Sequence, residues 1–246
     1  MTPPSPLITT SWDDGHPCDR RLADLLDACG LKGTFYVPLR NPERPILAPR
    51  DLLAIAERFE IGAHTMNHRR LAGLRLTEMR GEIVSGREAL QSLVGRPITA
   101  FCYPGGQYSS LVRTVVGEAG FVAARTTMAL RWDWGVDRLL MPVSVQAFPH
   151  GFRAHLGHAL MEGNWRGGAN YVSRFAFWGR DWVRIAIDLL QHAIGTGGWW
   201  HLWGHSWELE SLGAWRDVEL VLREAGASGA RSVTNTELAQ ELAPQA

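Results

Sequence analysis

Short apolar runs rich in β-branched and aromatic residues alternate along this chain with longer segments whose apolar residues recur at helical spacing. Leu7–Trp12 reads as a strand, and "DRRLADLLDAC" (Asp19–Cys29) as an amphipathic helix stopped by Gly30. Lys32–Val37, Glu60–His64, Ile98–Tyr103, "GFVAART" (120–126) and "RLLMPVSV" (138–145) follow as strands. Helices are predicted over 48–59, Thr77–Leu93 and Ser109–Ala119. Beyond them, 181–194 reads as helix, "GWWHLWGH" as a buried strand and 213–226 as helix, and 231–243 closes with a short strand and a capped helix. Residues 149–180, rich in Gly, aromatics and Arg, read as a loop-rich insertion.

Strand–helix alternation with short links predicts an α/β architecture of parallel strands. About seven such units in one chain of this length suit a distorted (β/α) barrel better than an open sheet. With no flexible linker and no internal repeat, residues 1–246 read as a single domain.

Composition narrows the picture only a little. The chain is 46% hydrophobic and 20% charged, as in ordinary soluble proteins. Its formal net charge of zero gives no bulk attraction to nucleic acid or to an anionic membrane. Cys18 and Cys29 on one helix lie about 16 Å apart, too far to bridge, so Cys18, Cys29 and Cys102 make no disulfide framework. The opening "MTPPSPLITT" has no basic n-region or apolar h-region. Nor does any run of about 18 apolar residues occur. The expectation is a cytoplasmic protein with neither signal peptide nor transmembrane segment.

The chemistry gathers at predicted strand ends. Asp13 and Asp14 end the first strand, His64 the third, Tyr103 and Pro104 the fourth, and His205 the penultimate one. In a (β/α) barrel the C-terminal ends of the strands form the catalytic face. Adjacent carboxylates repel, so "DD" at a buried strand tip needs a compensating charge. Asp14, His64 and His68 make a three-ligand set suited to Zn²⁺ with a position left open, and His-x-x-x-His brings both rings to one side if it is a helical turn. Taken alone, "DG" is a turn and HxxxH an ordinary pair; together at strand ends they point to a metal. Asp13, beside that positive charge, stays ionised as a general base for a water whose pKa the ion lowers to about 7.

"HLWGHSWE" adds two histidines about 13 Å apart if extended, too far to share an ion. His205, at the strand end, supplies the missing general acid, and His201 reads as a buried histidine with a hydrogen-bond partner.

Collected together, these residues resemble the polysaccharide deacetylases of carbohydrate esterase family 4, the nodulation-protein-B homology domain. Ser11-Trp12-Asp13-Asp14-Gly15 stands for T-F-D-D-G, His64-Thr65-Met66-Asn67-His68 for H-[ST]-x-x-H, and Trp203-Gly204-His205 for L-x-H. The resemblance runs from Leu7 to about Ser206. It implies a distorted (β/α) barrel that hydrolyses N-acetyl groups of amino sugars, with a divalent metal, zinc by default and cobalt or nickel as alternatives. Asp13 would be the base, His205 the acid, and Asp14, His64 and His68 the metal ligands. Thr65 would be a helix cap or a hydrogen-bond donor supporting them.

Two motifs depart. Cys102 stands where the family has the arginine that orients the base, and Arg125 or Arg138 are the candidate substitutes. Tyr103, Pro104 and Gly105 keep the following loop, whose Gly105 N–H would face an oxyanion, a donor typically worth about 3 kcal/mol, and Trp203 would contact substrate. The family's Asp-Trp pair, which tunes the acid, is matched to Asp133 and Trp134, with Trp132 and Asp137 competing. Of eleven tryptophans most lie late in the chain, and two or three are expected at a saccharide. The leading partner is an N-acetylated saccharide or glycan precursor. The alternatives are a small non-sugar amide on the same fold, or a non-catalytic glycan-binding domain.

Overall fold

The computed structural model describes residues 5–132, 134–150, 157, 164–170, 172–173 and 181–242. Its strands are β1 (Leu7–Asp13), β2 (Thr34–Val37), β3 (Glu60–Ala63), β4 (Ala100–Cys102), β5 (Ala123–Arg125), β6 (Val145–Gln146), β7 (Trp199–Gly204) and β8 (Arg231–Ser232). They form one sheet in the order β5-β4-β3-β2-β1-β7-β6, with the short β8 beside the start of β1. Every registered pair is parallel.

The segment ending in β6 brings the two edges together. Met141 bridges Arg125 of β5, and Val145 pairs with Leu202 of β7. The sheet therefore curls into the distorted (β/α) barrel expected from the alternation of elements. The predicted strand over 138–145 is shorter than its apolar run, because this segment serves two neighbours in turn rather than one along its length.

Strand parity decides what faces inward. β1 is buried throughout, and successive side chains point to opposite faces. Ile8 and Trp12 join Phe35, Val37, Ile61, Phe101 and Trp200 in the layer under the helices. Leu7 faces the interior with Tyr36, Ala100, Cys102, Ala123, Met141 and Trp199. The polar interior positions are paired: Thr9 Oγ1 donates to Asn235 Oδ1 (2.8 Å) and Ser11 Oγ lies 2.8 Å from His201 Nε2. The helix Asn235–Leu242 plugs the strands' N-terminal end with Leu238, Ala239 and Leu242. The opposite end of the same interior column, carrying Asp13, Cys102 and Arg125, is left for chemistry.

The helix predicted over Thr77–Leu93 is interrupted. Leu76–Arg80 and Gly86–Val94 are α-helical, and Gly81–Ser85 between them is a π turn. Such turns recur where a side chain must be aimed. Here the turn aims Glu82, whose carboxylate takes the Asn67 backbone N–H and side-chain amide, both at 2.8 Å. Gly86 is required beside it, because a Cβ there would lie 2.8 Å from the Met66 nitrogen. The insertion expected around 149–180 falls largely outside the described residues. Among the described residues, no helix is long and apolar enough to cross a membrane.

Candidate active site

The loops after β1 and β3 hold unusual backbone. Four described non-glycine residues have positive φ, and three of them are Asp14 (78°), Thr65 (67°) and His68 (55°). Left-handed conformations are disfavoured for residues with a Cβ, and strain of this kind gathers at functional sites. These turns correct the expected helical HxxxH. Residues 64–68 form a loop, and the left-handed steps at Thr65 and His68 bring the rings together at a 5.0 Å centroid distance. Thr65 caps no helix, and its buried hydroxyl has no hydrogen-bond partner.

His64 Nδ1 donates to the Cys102 carbonyl (2.9 Å). That bond fixes the tautomer and leaves the Nε2 lone pair facing Asp14. His68 Nε2 lies 3.0 Å and His64 Nε2 3.7 Å from Asp14 Oδ1. This buried oxygen receives no well-aligned hydrogen bond, while Trp207 Nε1–H holds the other oxygen at 2.8 Å. Burial, more than the neighbouring carboxylates offset, pushes the His64 pKa down to about 4, so its imidazole is neutral. Two imidazole nitrogens converging on a buried carboxylate oxygen fit a divalent ion such as zinc. Among the described residues a second group, Asp13, His64 and Cys102, also has its ligand atoms within 4.8 Å. It is the poorer donor set: Arg125 occupies Asp13, and burial holds the Cys102 thiol far above its ordinary range.

Asp13 ion-pairs with Arg125, which is fully buried. Burial alone would raise the Asp13 pKa, but Arg125, then His64 and His205, outweigh it and hold the carboxyl below its usual range. Cys102 and Arg125 are register partners across β4 and β5. The guanidinium thus reaches Asp13 from one strand over, at the height of the cysteine. Cys102 contributes its S–H, 3.5 Å from Asp13 Oδ2. Of the two substitutes named above, Arg125 is the one paired with Asp13, and Arg138 is exposed.

His205 lies 3.9 Å from Asp14 Oδ2 through Nε2, and its Nδ1 is 2.7 Å from Glu208 Oε2. Burial would lower its pKa, but the Glu208 hydrogen bond and charge, with Asp13 and Asp14, raise it above the ordinary imidazole range. Gln146 Nε2 donates to the same Glu208 oxygen at 3.1 Å. Glu208 went unnoticed in the sequence, where its spacing of three from His205 was the only signal.

Other assignments move. Trp134 is not beside His205: its indole N–H donates to Gly197 O (3.0 Å) at the start of β7, the opposite end of the barrel, and Asp133 lies outside the described residues. The chain after β5 descends before rising again through β6, so spacing along the sequence misplaced Trp134. Tyr103 is buried, its phenol donating to Leu139 O (2.8 Å) and its ring against Phe101, so only its backbone belongs to the loop. Pro104, Gly105 and Trp203 do line the cleft, as does Trp207, in a hollow of about 710 Å³ that contains Asp13, Asp14, His64, His68 and His205.

Beneath the site, Asp19 is fully buried and accepts the Ser206 hydroxyl at 2.6 Å, tying the start of the first helix to the residue after His205. Burial pushes its pKa from 3.8 up to about 8. The folded protein keeps a proton that the unfolded chain releases, so the stability tied to this group is complete at low pH and drains away as pH rises from about 4 towards 8. Asp19→Asn is expected to flatten that window, gaining on the order of 5 kcal/mol relative to wild type between its ends. Denaturant unfolding at several pH values measures it, and parallel pH profiles of the two proteins would show Asp19 to be ionised throughout.

A sequence profile described as polysaccharide deacetylase matches residues 1–124. A peptidoglycan-N-acetylglucosamine deacetylase from Bacillus cereus is 27% identical over 134 residues, covering 53% of this chain and 58% of that protein. Two solved structures share the fold over almost the whole chain. One is a candidate polysaccharide deacetylase from Mycobacterium smegmatis (TM-score 0.69, 18% identity, 97% of this chain and 90% of that one). The other is the chitin deacetylase of Colletotrichum lindemuthianum (TM-score 0.63, 16% identity, 99% and 90%).

Proposed function

We propose, for a chain that belongs to the polysaccharide deacetylase family, that it is a metal-dependent hydrolase of N-acetyl groups on an amino-sugar-containing glycan or glycan precursor. One observation carries the reading. A single cleft at the strand ends gathers a carboxylate with two imidazoles, a separately held ionised carboxylate and a carboxylate-backed imidazole.

Asp14, His64 and His68 would hold the ion, which supplies carbonyl polarisation and a water of lowered pKa when bound. Zinc suits two imidazoles and a carboxylate best, and cobalt or nickel would substitute. Asp13, kept ionised by Arg125, takes a proton from the attacking water. His205, kept protonated by Glu208, gives its proton to the departing amine nitrogen. Trp203 and Pro104 wall the acetamide, and Gly105, at φ 64°, lets the loop backbone turn towards the carbonyl oxygen.

His64→Ala/His68→Ala is expected to lose the bound metal and acetate release together, while wild type takes up about one equivalent of zinc. Metal analysis beside an acetate assay on N-acetylated saccharides tests this. If wild type takes up no metal on titration, the hydrolase reading fails and a glycan-binding domain replaces it.

A further inference from the structure

The cleft wall carries more positive charge than the chemistry uses. Asp13 is matched by Arg125, and Asp14 by the imidazoles around it. Three arginines, Arg44, Arg69 and Arg70, line the same hollow, and Glu43 is its one remaining carboxylate. Arg69 has Glu78 and Glu82 at 3.7 and 4.0 Å. Arg44 and Arg70 have no ion-pair partner among the described residues.

Both are nonetheless placed. The Arg44 guanidinium lies 3.3 Å from the ring centroid of Trp207, the residue that holds Asp14 Oδ2. Arg70 lies over the Gly105 loop, where an added Cβ would come 3.2 Å from its Nε. A stacked guanidinium keeps its N–H fork free, because a ring face takes the charge without occupying the donors. Two guanidinium forks without carboxylates, one stacked on Trp207 and one over the Gly105 loop, line one hollow with the metal-ligand set and form a receptor for oxyanions. A neutral chitin-like chain would leave both charges unanswered.

We infer that Arg44 and Arg70 form an anion subsite, and that the substrate is an N-acetylated sugar bearing a phosphate ester or a carboxylate close to the acetamido group. This rests on the deacetylase reading for the reaction but not for the binding, which depends on the arginines alone.

Calorimetric titration of the full chain, metal-free and zinc-loaded, separates the two. The probes are N-acetylglucosamine 1-phosphate, N-acetylmuramic acid and uncharged N-acetylglucosamine. At least one anionic probe should bind about tenfold or more tightly than the neutral sugar in both metal states. Arg44→Met and Arg70→Met should each remove most of that preference, and the lysine variants should restore part of it. The preferred anion identifies phosphate or carboxylate as the group recognised. Equal binding of all three sugars overturns the inference, as does an anion preference that survives both methionine variants. An arginine-dependent preference with no acetate released from any N-acetylated sugar keeps the subsite and removes the deacetylase reading. Acetate release without any anion preference does the reverse.

Discussion

Asp13→Asn is expected to slow acetate release by roughly 10²–10⁴-fold, the usual worth of a positioned general base, and to weaken the fold as well. An amide in this position accepts a hydrogen bond but takes no proton from water. It also strips Arg125, which is fully buried, of its counter-charge. Breaking a buried pair from one side typically costs about 3–5 kcal/mol, because the surviving charge stays desolvated. Arg125→Met strands Asp13 in the same way. With its main cationic neighbour gone, burial dominates and the carboxyl pKa rises. The acid limb of the pH–rate profile should therefore move to higher pH.

The double variant discriminates between these roles. Asp13→Asn/Arg125→Met removes both charges, so its loss of stability should be smaller than the sum of the two single losses while activity stays absent. Denaturant unfolding of the four proteins supplies that cycle. Metal analysis of Asp13→Asn supplies the other control: content near wild type is expected, because Asp14 rather than Asp13 faces the two imidazole Nε2 atoms. Equal loss of metal and activity would show that Asp13 is a ligand and overturn the division of roles.

Asp13 and its arginine also mark how far sequence reading reaches. Asp13, Asp14, His64 and His205 were legible because each sits at or next to the end of a strand whose apolar run announces it, and His68 because it follows His64 by four positions. What was not legible depends on register. Arg125 was one of two candidates, 112 positions from Asp13 in sequence, and only the pairing of Cys102 with Arg125 across β4 and β5 singles it out over Arg138. Trp134 failed for a related reason. Distance along the chain does not encode whether a segment is climbing or descending the barrel, and this one descends to Gly197. The left-handed turns at Asp14, Thr65 and His68 were hidden too, because none of the three is a glycine. The loop carrying Thr65 and His68 is held by neighbours remote in sequence, Glu82 in its π turn and Gly86 pressed against Met66. Local propensity marked the elements, while tertiary contacts set the geometry of the site.

His205→Ala should retain metal and lose activity by roughly 10²–10⁴-fold, since nothing then protonates the leaving amine. Glu208→Gln is the sharper test, because it leaves the imidazole in place and changes only what stands behind it. Glu208 Oε2 is 2.7 Å from His205 Nδ1, and this partner raises the His205 pKa against the downward pull of burial. A general acid works only while protonated, so activity falls as pH rises through that pKa. Without the carboxylate, burial prevails and the pKa drops, moving the alkaline limb of the profile to lower pH. Turnover at neutral pH should fall, yet recover towards wild type as the medium is acidified, until protonation of Asp13 takes over on the other limb. Such recovery would not follow from a merely structural defect. An NMR titration of the His205 ring protons in both proteins reads the same shift without turnover. If the alkaline limb and the ring titration stay where they are in wild type, Glu208 does not act through His205, and the acid must be sought elsewhere in the cleft.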